Sequence, residues 1–191
     1  QNEESLLTNN QLYFEEDYLL KNSISGLSDQ YFNSLIKSIA KGSVILDLAS
    51  GFGRESIIAA KNSAKFVVGI DLSPLSVKEA NSLAEKNNLN NAIFAIGDCE
   101  KLYFDDNTFD YVICARMLHH VKFEKAIREV YRVLKPGGEA ICIEALGINP
   151  IINYYRQITP AQRTHWEKSN ILIFRHIKIA RKYFNVKNIK Y

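Results

Sequence analysis

Acidic residues and one glycine turn stand where apolar segments of the sequence end. The apolar run 44–48 contains Asp47 and leads into the turn Ala49-Ser50-Gly51-Phe52-Gly53, and later runs are followed by Asp71 and Asp98. Glycines in such a turn let the backbone approach a ligand closely, and a following helix offers unpaired N–H groups. An acid at the end of the next strand can accept hydrogen bonds from both hydroxyls of a ribose. The spacing predicts a site for an adenosine-containing cofactor at the carboxyl ends of a parallel sheet.

Two adjacent histidines and one glutamate are the candidate catalytic residues. His119 and His120 follow the fourth apolar run, and Glu144 ends the fifth. Adjacent histidines do not easily face one metal ion, and no cysteine or acid cluster accompanies them, so we predict no metal site. We expect one ring to pack beneath the next helix and the other to edge the pocket, where it could act as a general base.

The elements that must position these groups alternate along the chain. Short apolar runs predict strands at 43–48, 66–70, 92–96, 109–114, 139–145 and 185–191. Helical periodicity predicts helices within 1–40 (one of them capped by Ser28) and at 53–62, 74–88, 122–135, 149–159 and 170–184, the helix 122–135 being stopped by Pro136-Gly137-Gly138. This alternation predicts an α/β fold of Rossmann-like, doubly wound type, with a mainly parallel sheet and helices on both faces.

Four ordered motifs resemble the class I S-adenosylmethionine-dependent methyltransferases, in particular the group that acts on small molecules. The motifs are Leu46-Asp47-Leu48-Ala49-Ser50-Gly51-Phe52-Gly53, Gly69-Ile70-Asp71-Leu72-Ser73, Gly97-Asp98-Cys99-Glu100 with Phe109-Asp110-Tyr111-Val112, and Arg132-Val133-Leu134-Lys135-Pro136-Gly137-Gly138. The resemblance implies one domain over 1–191, with an N-terminal helical cap (1–41), a cofactor-binding core (42–146) and an acceptor-side segment (147–191). It also implies seven strands, whereas this sequence supplies six, so we expect one or more C-terminal strands to be missing.

The resemblance implies that the cofactor is S-adenosylmethionine and the product S-adenosylhomocysteine. Asp47 would orient the ammonium group, Asp71 would bind the ribose hydroxyls, and Leu72 would pack on the adenine, whose polar edge Asp98 and the Cys99 N–H would contact. The remaining implied cofactor contacts come from the glycine turn and the end of the fourth strand, namely Ala49, Ser50, Gly51, Gly53, Ala115 and Arg116. Ala49 stands where the family usually has glycine, and an alanine there can keep the fold if its φ is negative.

The implied reaction is in-line attack on the sulfonium methyl by a small-molecule acceptor. Candidate acceptor-binding residues share a polar or aromatic side chain and flank the core; they are Tyr13, Tyr18, Tyr154, Tyr155, Arg156, Arg163 and His165. An NAD-dependent oxidoreductase is an alternative, because Gly51-x-Gly53-x-x-Ser56 approaches the dinucleotide fingerprint. A non-catalytic cofactor-binding adaptor that uses a basic C-terminal surface is a second alternative.

Composition favours a globular protein of the cytoplasm. No apolar stretch is long enough to cross a membrane, and the three cysteines have no metal spacing, so we expect buried thiols in a reducing compartment. Residues 151–191 contain nine basic side chains and one acid. Within 170–184 we predict that Ile171, Phe174, Ile177 and Phe184 dock on the sheet while the cations face solvent or a weakly bound anionic surface. We expect a monomer or homodimer and no nucleic-acid partner.

Overall fold

The computed structural model describes residues 26–144, 147, 150, 154, 157–159, 166 and 170–186. Within this part of the chain, strands and helices alternate as predicted. The strands are β1 (Val44–Leu48), β2 (Phe66–Asp71), β3 (Ala92–Ile96), β4 (Phe109–Ala115) and β5 (Leu134–Ile143). The helices are α1 (Gly26–Ala40), α2 (Arg54–Lys61), α3 (Pro74–Lys86), α4 (Phe123–Val133) and α5 (Phe174–Ala180).

The five strands form one parallel sheet in the order β3-β2-β1-β4-β5. From β1 the chain adds β2 and then β3 on one side. It then crosses to the other side of β1, where it adds β4 and β5. Successive residues of β1 face opposite sides: Ile45 packs with α1 and α2, whereas Leu46 packs with α4. Both faces of the central strands are buried, so the doubly wound architecture is confirmed. Ligands bind in such sheets at the crevice where the winding reverses, which here lies between β1 and β4.

A niche formed by two glycines admits the aromatic ring of Phe94. A Cβ added to Gly69 would lie 2.4 Å from the Phe94 ring, and one added to Gly53 would lie 2.5 Å from it. Gly53 also adopts a φ of +80°, which glycine accepts without steric cost. Because Gly53 and Gly69 have no side chain, β3 can pack closely against the turn before α2.

The boundary between α4 and β5 differs from the prediction. Helix α4 ends at Val133, and β5 begins at Leu134, inside the segment expected to be helical or turn. Phe109 pairs with Leu134 and Tyr111 with Glu139, so residues 135–138 form a bulge opposite Asp110. The Pro-Gly-Gly sequence produces this bulge because proline lacks a ladder donor and Gly137 takes a φ of +81°. The Pro-Gly-Gly segment therefore interrupts β5 and does not separate α4 from β5.

The C-terminal helix is shorter than predicted and turns a different face inward. Helix α5 begins only at Phe174, whose side chain is 58% exposed, whereas His176 is buried. The rings of Phe123 and Tyr131 in α4 meet His176 and Phe184, so this segment packs on α4. Phe184 also packs against the core cluster that contains residues of β1 and β4, as the predicted docking on the sheet requires. The expected inward position of Phe174 is wrong, because α5 packs on α4 through the face that carries His176. The predicted exposure of Arg175, Lys178, Arg181 and Lys182 is confirmed.

Smaller differences follow from local chemistry. Ser73 caps α3 as predicted, its Oγ accepting from the Ser76 N–H at 3.2 Å, but α1 begins at Gly26, before Ser28. Cys99 and Cys114 are buried as expected, whereas Cys142 is exposed because β5 is the edge strand of the described sheet. The segments 1–25 and 187–191 of the predicted terminal elements lie outside the described residues. No described helix is both long enough and apolar enough to span a membrane.

Candidate active site

The Asp71 carboxylate joins the loops that follow β1 and β2. Its Oδ2 accepts a hydrogen bond from the Gly51 N–H at 2.9 Å, and its Oδ1 accepts one from the Ser73 N–H at 2.8 Å. Asp71 is the last residue of β2, as the sequence predicted. Two backbone N–H donors therefore orient the carboxylate that is expected to bind the ribose.

The turn itself departs from one expectation. Ala49 has a φ of +50°, so the negative φ that would suit alanine at this position is not adopted. The position keeps the left-handed backbone for which glycine is suited, and the Ala49 Cβ carries a steric cost there. The neighbouring Ser50 N–H donates to Ile70 O at 2.9 Å, which holds the turn against β2. The Ser50 Oγ is buried and has no hydrogen-bond partner among the described residues.

Asp47 lies beneath this turn and is 1% exposed. Its Oδ2 accepts from the backbone N–H of Ser56 at 3.1 Å and from the Ser56 hydroxyl at 2.6 Å. Burial, with a smaller repulsion from Glu55, raises the pKa of Asp47 to about 8. The pKa of Glu55 is also raised, again mainly by burial. A cationic group brought near these acids would favour their ionised forms.

The loop after β3 brings two of the predicted adenine contacts to the same edge of the sheet. Asp98 accepts from the Glu100 N–H at 2.8 Å, which closes a tight turn. The Cys99 thiol is buried, and this burial raises its pKa to about 12. Leu72 is 67% exposed, an unusual position for leucine and one that a bound ring could cover.

Arg116 connects the end of β4 with α1 and α2. Its backbone N–H donates to Ile143 O at 2.8 Å, and its φ is +56°. Its guanidinium forms an ion pair with Asp29 of α1 and lies 3.9 Å from the Glu55 carboxylate of α2. The sequence indicated Arg116 but not Asp29 or Glu55, because their approach depends on how the helices pack.

His119 and Glu144 form a pair at the carboxyl ends of β4 and β5. The His119 Nδ1 lies 2.8 Å from Glu144 Oε2, and Glu144 Oε1 accepts from the Leu118 N–H at 2.6 Å. The Glu144 side chain is 5% exposed and that of His119 is 21% exposed. The His120 ring lies against that of His119, with centroids 4.0 Å apart and planes tilted by 41°, and His120 is exposed. The expected packing of one histidine beneath a helix is therefore wrong, since the Glu144 carboxylate draws His119 to the rim of the sheet.

The acceptor-side candidates fall mostly outside the described residues. Tyr154 is described, and its side chain is 65% exposed. Those that lie outside are Tyr13, Tyr18, Tyr155, Arg156, Arg163 and His165.

Comparison with known proteins agrees with this arrangement. Residues 45–138 match a family model described as "Methyltransferase domain". Over these residues the chain is therefore similar to S-adenosylmethionine-dependent methyltransferases. A demethylmenaquinone methyltransferase of Listeria welshimeri is 32% identical over 140 residues, which cover 69% of this chain and 59% of that protein. The ubiquinone/menaquinone biosynthesis C-methyltransferase UbiE of Hydrogenovibrio crunogenus is 36% identical over 113 residues, covering 57% and 44%.

Solved structures of this methyltransferase family share the fold. A Bacillus halodurans protein assigned as a methyltransferase superimposes with a TM-score of 0.67 at 25% identity, covering 79% of this chain and 67% of that one. The chain spans about 59% of the length of the first curated relatives it matches. These similarities favour methyl transfer over the oxidoreductase and adaptor alternatives. The donor set also fits S-adenosylmethionine: acids rather than a phosphate-binding cradle surround the turn, which suits a sulfonium ligand.

Proposed function

We propose that this methyltransferase transfers a methyl group from S-adenosylmethionine to a small-molecule acceptor. The observation that carries the proposal is that Asp47, Asp71 and Asp98 lie in or shortly after the neighbouring strands β1, β2 and β3, at the edge of the sheet that carries the turn between β1 and α2. Asp71 would bind the ribose, Asp98 and the Cys99 N–H the adenine, and the turn of Ala49, Ser50, Gly51 and Gly53 the methionine part. Leu72 would cover the adenine ring.

The amino-acid end of the cofactor would lie between Asp47 and the backbone of Ala115 and Arg116. The bound cofactor supplies an already activated methyl group on its sulfonium. The chain's own residues then have to orient the two substrates and keep water out, which is a large part of such catalysis. The Arg116–Asp29 ion pair supports this role, since it anchors α1 beside the site.

His119 is the residue that could remove a proton from the acceptor. An ionised carboxylate can only accept hydrogen bonds, so the pair with Glu144 places the imidazole proton on Nδ1 and leaves the Nε2 lone pair available. Glu144 would be a positioning residue that keeps the ring in this tautomer. His120 would support the ring by lying against it.

The remaining proposals concern location and partners. We expect a cytoplasmic protein, a view supported by the three free cysteines, and either a monomer or a homodimer. The exposed cations of the C-terminal segment would make a weak contact with an anionic surface. Residues 1–191 would act as one domain, with 147–191 on the acceptor side.

Calorimetry with S-adenosylhomocysteine and with NAD tests the cofactor assignment. We expect the first to bind and the second not to bind. Asp71→Ala should weaken S-adenosylhomocysteine binding by about 1–3 kcal/mol, the range for hydrogen bonds to a charged group. Asp105→Ala, which removes an exposed acid of a distant loop, is the matched control. Comparable affinity for NAD would overturn the assignment, and an unchanged affinity in a folded Asp71→Ala variant would remove Asp71 from the site.

Methyl transfer by dyad variants tests the proton-transfer role. For an acceptor that carries its proton at neutral pH, His119→Gln should lower kcat by roughly 10²–10⁴-fold with intact cofactor binding. Glu144→Gln keeps an acceptor for the Leu118 N–H but removes the charge, so it should displace the pH profile of kcat. A purely structural role for Glu144 would leave that profile where it is in the wild type.

A further inference from the structure

A cavity of about 240 Å³ opens between the loop after β4 and helix α5. Its described lining combines apolar or aromatic side chains with cations; the members used below are Leu118, Phe123, Trp166, Lys122, Lys125 and Arg175. It does not contain the predicted cofactor contacts. A concave site with an apolar wall and a few charged groups is the usual form of a small-molecule site.

The inner wall is aromatic and uncharged. The buried His176 imidazole meets the Phe123 ring edge-on, with centroids 4.9 Å apart and planes at 67°. Its Nδ1 accepts from the Ile173 N–H at 3.0 Å, so a neutral ring carries its proton on Nε2. Burial and the nearby Arg175 lower the pKa of His176, which keeps the imidazole neutral at pH 7. Such a wall accommodates a flat ring and offers it edge and face contacts.

The rim of the cavity carries an excess of positive charge. Lys122, Lys125 and Arg175 stand there against one lining acid, Glu124. Glu124 lies 3.5 Å from Lys182 of the C-terminal segment, so part of its charge is already compensated. Lys125 reaches the Glu100 carboxylate only at 3.9 Å. Arginine and lysine so placed favour an anion, and the planar guanidinium of Arg175 matches a carboxylate in particular.

Leu118 connects this cavity with the proposed proton-transfer pair. Its side chain lines the cavity, while its backbone N–H donates to Glu144 at 2.6 Å and its chain neighbour is His119. The cavity and the His119–Glu144 pair therefore share the loop that carries Leu118. We propose that the cavity binds aromatic carboxylates and that the methyl acceptor belongs to this class. This inference rests on the proposed function.

Fluorescence of Trp166 provides a local test, because it is the only tryptophan of the chain. Benzoate, benzyl alcohol and inorganic phosphate are titrated separately into the full chain with S-adenosylhomocysteine bound, with excitation at 295 nm. We expect benzoate to change the emission saturably, with an affinity roughly tenfold or more above that of benzyl alcohol, because a charge-assisted pair is lost in the alcohol. Equal affinities for the acid and the alcohol, or no saturable change, would overturn the proposal. Phosphate as the tighter ligand would also overturn it, by assigning the site to an inorganic anion.

Matched variants of one helix separate this site from general charge effects. Arg175→Gln removes a lining cation, and Lys178→Gln removes an exposed cation of α5 that does not line the cavity. The first should weaken benzoate binding roughly tenfold, and the second should leave it unchanged. Equal effects in both variants would contradict a specific site.

Turnover tests whether the ligand class is that of the acceptor. Monohydroxybenzoates and the corresponding uncharged phenols are offered with methyl-labelled S-adenosylmethionine, and Arg175→Gln should raise KM for the acids more than it lowers kcat. Benzoate binding without methylation of any hydroxybenzoate would overturn the acceptor assignment. Binding of S-adenosylhomocysteine to the wild type distinguishes failure of the proposed function from failure of this inference. If the wild type does not bind S-adenosylhomocysteine, the proposed function is refuted. If it binds S-adenosylhomocysteine but benzoate gives no signal, only this inference is refuted.

Discussion

At the scale of single residues, Asp47 places a carboxyl group in the protein interior, where its ionised form is unfavourable. Its carboxyl is buried beside Glu55, and burial raises its pKa from 3.8 to about 8. The folded protein then binds more protons than the unfolded chain between about pH 4 and 8, so this group makes the cofactor-free protein less stable as the pH rises through that interval. A cation bound nearby would offset the cost of ionising Asp47.

The first prediction is that Asp47→Asn flattens the dependence of unfolding free energy on pH. The amide retains an acceptor for Ser56 but cannot ionise, so its contribution no longer falls between about pH 4 and 8. Urea unfolding of the cofactor-free protein at a series of pH values measures this. Asp105→Asn, at an exposed loop position, should retain the wild-type slope. Parallel curves for wild type and Asp47→Asn would show that Asp47 does not titrate differently in the two states.

The second prediction concerns Ala49, which occupies a left-handed backbone position with a φ of +50°. Ala49→Gly should stabilise the protein by about 0.5–1 kcal/mol, because the steric cost of the Cβ at positive φ exceeds the backbone entropy that glycine loses. Urea unfolding measures the change. Ala59→Gly, inside α2, is the control and should destabilise by about 1 kcal/mol or more. If Ala49→Gly is destabilised like the control, the turn is not strained.

The residue types of the site were readable from the sequence, but their pairings were not. Acids that follow apolar runs predicted Asp71 and Asp98 at strand ends, because strand ends are set by local pattern. His119 and Glu144 were predicted only as separate candidates, since their contact depends on the register of β4 with β5. The sign of the Ala49 φ could not be read from the sequence either, because the turn geometry is imposed by the Ser50–Ile70 and Gly51–Asp71 hydrogen bonds.

At the scale of elements, the glycine niche around Phe94 connects β2, β3 and the turn before α2. The Phe94 ring occupies the space in which Cβ atoms of Gly53 and Gly69 would stand. Asn81 of α3 completes the contact, since its side chain donates to Phe94 O at 2.9 Å and accepts from the Phe94 N–H at 3.1 Å. Because Gly53 is also the N-cap of α2, packing at this ring positions the glycine turn itself.

The third prediction is that Gly69→Ala destabilises the protein by about 1–3 kcal/mol through overpacking. The new Cβ would lie 2.4 Å from the Phe94 ring and 2.8 Å from Ser50 Oγ, so both must move. Thermal or urea unfolding measures the loss. Gly26→Ala is the control, because its added Cβ meets no atom of the described residues within 4 Å, and it should be neutral or slightly stabilising.

A second substitution identifies the ring as the cause of the expected loss. Phe94→Leu in the Gly69→Ala background should recover part of the lost stability, because a smaller side chain vacates the niche. The energies of the two substitutions should therefore be non-additive. Additive losses would mean that the niche does not set the cost.

Element boundaries were predictable where a local signal controls them. Ser73-Pro74 begins α3 as expected because a hydroxyl cap and a proline act within one turn. The Pro-Gly-Gly segment was misassigned because the same residues can stop a helix or form a strand bulge. Pairing of Leu134 with Phe109, a contact between distant parts of the chain, decides the outcome. The phase of α5 was likewise decided by its packing on α4 and not by its own apolar pattern.

At the scale of the whole molecule, charge is unevenly distributed. Residues 151–191 carry nine basic side chains and one acid, whereas the rest of the chain has more acids than bases. The described cations of the C-terminal segment are exposed, and Phe174 and Ile173 beside them are 58% and 39% exposed. Cations next to exposed apolar side chains are the composition of a surface that binds at a lipid headgroup boundary.

The fourth prediction is salt-dependent binding to anionic vesicles. Each Lys or Arg near an anionic surface contributes about 1 kcal/mol to binding. The double variant Lys178→Glu with Arg181→Glu should therefore bind the vesicles with more than tenfold lower affinity. Sedimentation with vesicles containing phosphatidylserine measures binding at two salt concentrations. The control reverses Lys61 and Lys86, exposed residues in the last turns of α2 and α3, and changes net charge equally. If both double variants lose binding equally, net charge alone is responsible; if the wild type shows no salt-sensitive binding, the exposed cations of this segment only contact solvent.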